Sequence, residues 1–457
     1  MEQDFKHIYD ASNRFGLNLL KVLARDELPE NIFFSPLSIS MCLTIAANGA
    51  NDQTLQEMLR MLELNEFSLN EINSANQYLI SEFTIDETNK IEADSEPGPE
   101  PNPDDIVLIK KRRVPRAELD AAYRVIDIIK STSDEKVWIA QLGEDYFRQM
   151  RAAQLVMASA EIDQRFRLSL ANSLWVKQGI EFASSFLATT RDTYNAEVAS
   201  VDFRDKATPE IINGWISRVT QGTIREMVGE ISPATVFMLA NAIYFKAFWK
   251  HQFSKAKTKQ EKFTLITGEQ TDCFMMHRQG NYHYWEDNDL QMISIPYESV
   301  AQLDLGMYII LPKRSQDLHK LISELSAEKW DALIDQVHRN IMYGEFSLPR
   351  FKAEYERNLT NDLNGLGIAM AFTPHADFSA MSAMASELWI SQVAHKAFIK
   401  VDEEGTEAAA VTRSMYVGGI SEPQRVFKMI VDHPFIYAIR DHKTGALLFM
   451  GVTMQPS

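Results

Sequence analysis

The chain has 457 residues, 45% hydrophobic and 24% charged, so it carries enough apolar surface for a large core and is neither disordered nor fibrous. Its 46 Lys and Arg face 63 Asp and Glu, a formal charge of -17, which argues against a protein whose main work is coating nucleic acid or anionic membrane. Two cysteines, Cys42 and Cys273, exclude a disulfide framework and lie in no metal-ligand spacing. The opening residues MEQDFKHIYDASNRFG hold no apolar segment of signal-peptide type, and no run of 18 apolar residues occurs. The expectation is a chain without export signal or membrane span, cytoplasmic or nucleocytoplasmic, with an extracellular setting left open.

Residues 4–64 read as helical: Phe15, Leu19, Val22 and Leu23 recur at helical spacing, Ser35-Pro36 punctuates, and Met41 to Ala47 begin another apolar face. A capped amphipathic helix follows Asn51, and another is predicted over 68–83. Residues 86–105 hold eight acids, one lysine and four prolines, too little apolar surface to offset the entropy of ordering, and read as a loop. Directly beyond, Lys110, Lys111, Arg112, Arg113 and Arg116 put five cations into seven residues, and helices are predicted at 117–131 and 135–158.

From 166 onward, β-branched and aromatic runs predict strands at 168–176, 198–203, 235–248, 261–276, 282–297 and 303–311. Helical stretches at 207–220 and 316–337 separate them, and strands resume at 345–352, 388–402, 424–439 and 446–453. The order is α+β without a regular βαβ repeat, and it favours one domain carrying one large insertion.

Common local signatures of hydrolase, metalloenzyme and nucleotide binder are absent: there is no G-x-S-x-G, no H-E-x-x-H and no glycine-rich phosphate loop. The ten histidines are scattered, and a lone one such as His277 reads as structural or surface. The informative stretch is Val401 to Pro434. A strand-like run ends in Asp402-Glu403-Glu404-Gly405, and roughly 20 small and polar residues follow before strand character returns at Val426, an excursion of a length that is usually functional. Read with period two, Thr406, Ala408, Ala410, Thr412 and Ser414 form one face of small residues as far as Tyr416. Such a face fits between two existing strands.

Here the chain resembles the serpin family. Glu403-Glu404-Gly405-Thr406-Glu407-Ala408-Ala409-Ala410 is similar to the proximal hinge of inhibitory serpins. Asn31 to Ser38 (NIFFSPLS) resembles the N-terminal block, and Leu239 to Lys246 (LANAIYFK) with Trp249 and Phe253 resembles the central-sheet signature. Leu348-Pro349-Arg350-Phe351, Leu366-Gly367, Ala376 to Ser379, His395-Lys396-Ala397, His433-Pro434-Phe435 and Leu448 to Gly451 agree in order. The resemblance covers 1–84 and 158–457, with Pro349, Phe351, Phe435 and Gly451 as structural positions.

The resemblance implies a single α+β serpin domain over 1–457 with three sheets, eight or nine helices and an exposed reactive-centre loop at 405–425. It implies no catalysis, cofactor or metal, and a monomer whose partner is a target protease. In the family, the protease forms its acyl intermediate on the loop and is trapped when the cut loop inserts into the central sheet. Thr406 enters first, and neither a charge nor a proline stands there to add desolvation cost or delete a ladder donor. A surface helical turn over Ala408 to Ala410 is the plainer alternative, since alanine favours helix.

Counted from the hinge glycine as in serpins of standard loop length, the reactive bond falls between Gly419 and Ile420. Met415, Tyr416 or Ile420 would be the primary residue in another register, whereas Arg413 lies too early. Gly418-Gly419-Ile420 offers no charge or large aromatic, which points to elastase-like or subtilisin-like serine proteases or a papain-like cysteine protease. Ser35, Ser38, Asn241 and His395 match the family's hydrogen-bonded shutter, and Trp249 matches the tryptophan at the breach, the upper opening of the sheet.

Residues 85–157 depart from the family, which has a short connection there. Some intracellular serpins also carry a long loop at this place. Lys110, Lys111, Arg112 and Arg113 read as a nuclear-import or nucleic-acid patch, or as a solvated basic end that balances the acidic loop. The rival function is a non-inhibitory serpin: a carrier, a chaperone or, through the insertion, a chromatin-associated binder.

Overall fold

The strand Phe237–Phe248 is apolar at almost every position because both of its faces are covered, and its first nine residues are all buried. Successive side chains alternate across it. Met238, Ala240 and Ala242 pack with Trp175 and with Ile212 and Ile216 of helix Thr208–Val219, while Asn241 and Phe245 point to the opposite, core side. On that core side lies helix Pro36–Ala47, buried at all 12 residues, as a helix apolar all round must be. Ser35 caps it, its Oγ accepting from Ser38 N–H at 3.0 Å, with proline in the first turn where no N–H is needed.

The computed structural model describes residues 5–27, 30–83, 106–109, 112–115, 166–220, 222–299, 303–406 and 426–456. These residues hold nine α-helices, two large sheets and one two-stranded sheet. The six-stranded sheet runs Phe351–Asn358, Gln392–Val401, Gly405–Thr406, Phe237–Phe248, Phe166–Lys177, Glu197–Val201. The nine-stranded sheet is built around Gln270–Glu286, which pairs with Lys259–Thr264, Leu290–Pro296 and Ile341–Pro349, and it ends on Val426–Ile430.

The chain divides into two compact units, one from residues 1–80, 168–299 and 304–457, the other from 81–167 and 300–303. In the second unit Ile106–Ile109 pairs antiparallel with Arg112–Pro115, Ile109 opposite Arg112. Lys110, Lys111 and the helices expected at 117–131 and 135–158 lie outside the described residues.

Several boundaries differ from the sequence reading, each for a local reason. The helical reading of 4–64 is broken by strand Ile32–Phe34, three buried apolar residues paired with Met450 to Val452. The expected gap between 276 and 282 is strand instead, because the polar run His277 to Asn281 lies in the ladder opposite Tyr343 to Ser347. The stretch 316–337 is two helices, Leu318–Glu324 and Ala327–Arg339, since Ser326 caps the second by accepting from Lys329 N–H at 3.2 Å. The run 424–439 is two strands, Val426–Ile430 and Phe435–Asp441, interrupted at Asp432-His433-Pro434.

Candidate functional site

Two strands of the six-stranded sheet, Phe237–Phe248 and Gln392–Val401, run parallel and pair directly over seven residues, from Met238 opposite Gln392 to Tyr244 opposite Phe398. Above that stretch they part, and the chain itself fills the gap. After Val401 it turns back, and Gly405–Thr406 lies antiparallel between them, Gly405 opposite Phe248 and Thr406 opposite both Ala247 and Val401. A Cβ on Gly405 would stand 2.1 Å from the Ala247 carbonyl oxygen, so only glycine fits. Thr406 is fully buried, its hydroxyl 2.8 Å from that of Tyr297, whose ring stacks on Trp249 at 4.5 Å. Trp249, read from the sequence as the breach residue, lies beside the seated pair, and its indole N–H donates to the Asp402 carbonyl at 3.0 Å.

Segment Trp249 to Thr258 holds the turn from outside. Trp249 N–H donates to the Glu404 carbonyl at 2.9 Å, and Phe253 N–H to that of Glu403 at 2.8 Å. Lys255 pairs with the Glu404 carboxylate, and Thr258 donates its hydroxyl to that of Glu403. Glu403, 1% exposed, also takes a guanidinium fork from Arg350, at 2.9 Å from Nε and 2.5 Å from Nη2. Burial works to raise its pKa, but the Arg350 fork and the Thr258 hydroxyl prevail and hold the carboxyl below its ordinary value.

Below the docked pair, the closed part of the slot is held by neutral groups. His395, opposite Asn241 in the ladder, brings Nδ1 to 2.6 Å from Asn241 Oδ1. Because that oxygen can only accept, Nδ1 carries the proton. Burial pushes the imidazole down to about 3, and Nε2 has no hydrogen-bond partner among the described residues. Asn241 Nδ2 reaches Ser38 Oγ and Asn172 Oδ1, each at 2.5 Å, and Ser35 donates its hydroxyl to the Leu448 carbonyl at 2.6 Å. The structure therefore brings Ser35, Ser38, Asn241 and His395 into one buried network.

Asn172 belongs to the same network and was missed. A signal for it exists: along Leu168, Leu170, Asn172, Leu174 and Val176 one amide interrupts an otherwise apolar face. The other missed members, Arg350, Lys255 and Thr258, are tied to the hinge by contacts across 53 to 149 positions of sequence, which no local pattern reports. His277 sits outside the slot, Nδ1 2.8 Å from Ser347 Oγ and Nε2 2.9 Å from Glu261. Glu407, Ala408, Ala409, Ala410, Gly419 and Ile420 lie outside the described residues.

Gly405–Thr406 is thus seated at the mouth of a slot between two parallel strands. The sequence profile of the family described as Serpin (serine protease inhibitor) matches residues 10–95 and 139–456. Serpin-Z2B of Triticum aestivum is 34% identical over 330 residues, covering 69% of this chain and 83% of its own. An uncharacterized serpin-like protein of Thermococcus kodakarensis is 30% identical over 456 residues, covering 99% of this chain and 86% of its own. Among solved structures, the thermophilic serpin Tengpin in its native state superposes with a TM-score of 0.73 at 27% identity, covering 100% of this chain and 95% of its own. The chain belongs to the serpin family.

Proposed function

We propose that this serpin is a protease inhibitor that acts as a suicide substrate, with residues 405–425 as bait. The observation that carries this reading is the seating of Gly405–Thr406 between Phe237–Phe248 and Gln392–Val401. Continued residue by residue, that register would set Thr412 between Asn241 and His395, and Tyr416 opposite Phe237 at the far end of the strand. Thr406 faces the core, so Ala408, Ala410, Thr412 and Ser414 would follow on the same buried face with little to desolvate. Inserting the 13 residues that follow Thr406, as far as Gly419, at about 3.3 Å each would carry an acylated protease about 43 Å. The added ladder of backbone hydrogen bonds is the drive.

Cleavage at Gly419–Ile420 by an elastase-like or subtilisin-like serine protease is the preferred assignment. The test is incubation with elastase, subtilisin, chymotrypsin, trypsin and a papain-like protease, followed by denaturing gels and mass measurement of the released peptide. A denaturant-stable band at the summed mass, with a C-terminal fragment beginning at Ile420, is the expected result. Cleavage without a stable complex for every protease would instead support the non-inhibitory reading.

A further inference from the structure

Three of the ten histidines meet in one place outside the slot. His283 lies on Gln270–Glu286, His338 in the last turn of helix Ala327–Arg339, and His442 in the turn between Phe435–Asp441 and Leu447–Thr453. The ring of His283 stacks on His338 at 5.3 Å, and His442 meets His338 edge-on at 5.2 Å. Tyr308 closes the group, its hydroxyl 2.5 Å from His338 Nε2 and its ring 5.8 Å from that of His442. Two nitrogens, His283 Nδ1 and His442 Nε2, are buried without a hydrogen-bond partner among the described residues.

Burial opposes protonation most, and the surrounding charges act both ways: Asp304 favours a charged His338 and His442, and Asp441 a charged His442. Arg440, on Phe435–Asp441, acts against a positive charge on His338 and His442. Asp304 stands 3.4 Å from His442 Nδ1, but its side chain is 61% exposed. Asp441 is buried, its Oδ2 taken by the Thr444 N–H and hydroxyl and its Oδ1 without a hydrogen-bond partner among the described residues. On the helix, Asp335 faces Arg339, and Asp331 is raised by its own burial and by Asp10 of helix Lys6–Glu27, which also brings Lys6. Leu290–Pro296 adds only the Ser294 hydroxyl, bonded to Tyr308.

We propose that this imidazole stack is an acid-sensitive latch: with His338 and His442 neutral it fixes the end of helix Ala327–Arg339 and the C-terminal turn to the sheet, and in acid it releases them. Charging His338 places a cation against two other imidazoles and Arg440 in a partly buried setting. The latch bears on the slot through the C-terminal hairpin, whose Leu448 carbonyl accepts the Ser35 hydroxyl. It stands whether or not the loop inserts.

Burial, then His442, His283 and Arg440, push His338 down to about 4 from an ordinary value of 6.5. The sign follows: the stabilisation is complete above about pH 6.5 and is lost as pH falls toward 4. If opening returns His338 to water, the opening constant rises about thirtyfold between pH 7.5 and pH 5 from that ring alone.

The test is hydrogen exchange by mass spectrometry on the intact, uncleaved protein at both pH values, corrected for intrinsic exchange. Protection of peptides covering 327–339 and 441–446 is expected to fall about thirtyfold or more at pH 5, and the fall is expected to shrink in His338→Gln, which keeps a hydrogen-bonding group but does not titrate. His442→Gln serves as a second variant, and peptides from 392–401 report separately on His395. Unchanged protection of 327–339 in acid, or an equal loss in wild type and both variants, would overturn the latch.

Discussion

The top and the middle of the slot are held by opposite means. At the top, Gly405–Thr406 is seated by charged groups that reach toward solvent: the side chains of Lys255 and Arg350 are 65% and 41% exposed, while the carboxylates they hold are nearly buried. In the middle, His395 and Asn241 join the strands through neutral, fully enclosed groups. Exposed cations can let go without leaving a charge stranded on their own side, whereas parting the middle leaves neutral donors and acceptors to be satisfied by whatever enters. A strand supplies them along its whole length. The contrast fits an opening that starts at the mouth and stops at the middle until a cut frees the loop.

The sharpest way to break the contrast is to put a charge at the mouth. Thr406→Arg would bury a guanidinium beside Tyr297 and Trp249, so the hinge is expected to leave the slot. Stable protease complexes should then disappear from denaturing gels while cleavage continues, and retained complexes would contradict the role given to Thr406. Next in size is Arg350→Ala, which strands the buried Glu403 carboxylate and is expected to cost about 3–5 kcal/mol in urea unfolding. Arg350→Lys should recover part of this.

The middle is expected to answer to pH rather than to salt. His395 is held down to about 3, against 6.5 in the unfolded chain, so its neutral form supports the native state above about pH 6.5 and that support is lost as pH falls toward 3. At pH 5 the unfolding equilibrium should rise about thirtyfold from this ring, and His395→Asn should flatten the profile between pH 7.5 and 5. The smallest effect concerns the second unit. Replacing Lys110, Lys111, Arg112 and Arg113 by Ala should leave stability within about 0.5 kcal/mol, and a shift of a tagged protein from nucleus to cytoplasm would support the import reading.

Much of this architecture is legible in the sequence. The strands around Asn241 and His395 announce themselves as dense apolar runs, and the small face from Thr406 to Ser414 marks the loop as a candidate strand. Phe351–Asn358 shows why legibility depends on reading to the end of a pattern. Its buried Phe351, Ala353 and Tyr355 alternate with exposed Lys352, Glu354 and Glu356, yet the sequence reading stops at 352. Two things have no local signal. A two-residue strand such as Gly405–Thr406 has no period to detect, and the pairing of Glu403 with Arg350 exists only once the turn has folded back. The histidine stack is hidden for the same reason, since positions 283, 338 and 442 meet only through the sheet.

The central claim is that the slot accepts the loop as a new strand. Its most direct measurement is the thermal unfolding of the protein before and after a single cut within 411–420, with both fragments retained. A native form held short of insertion is metastable, so a large upward shift of the unfolding midpoint on cleavage is the expected result. A cut protein that unfolds at or below the temperature of the intact one would contradict insertion and, with it, the inhibitory mechanism.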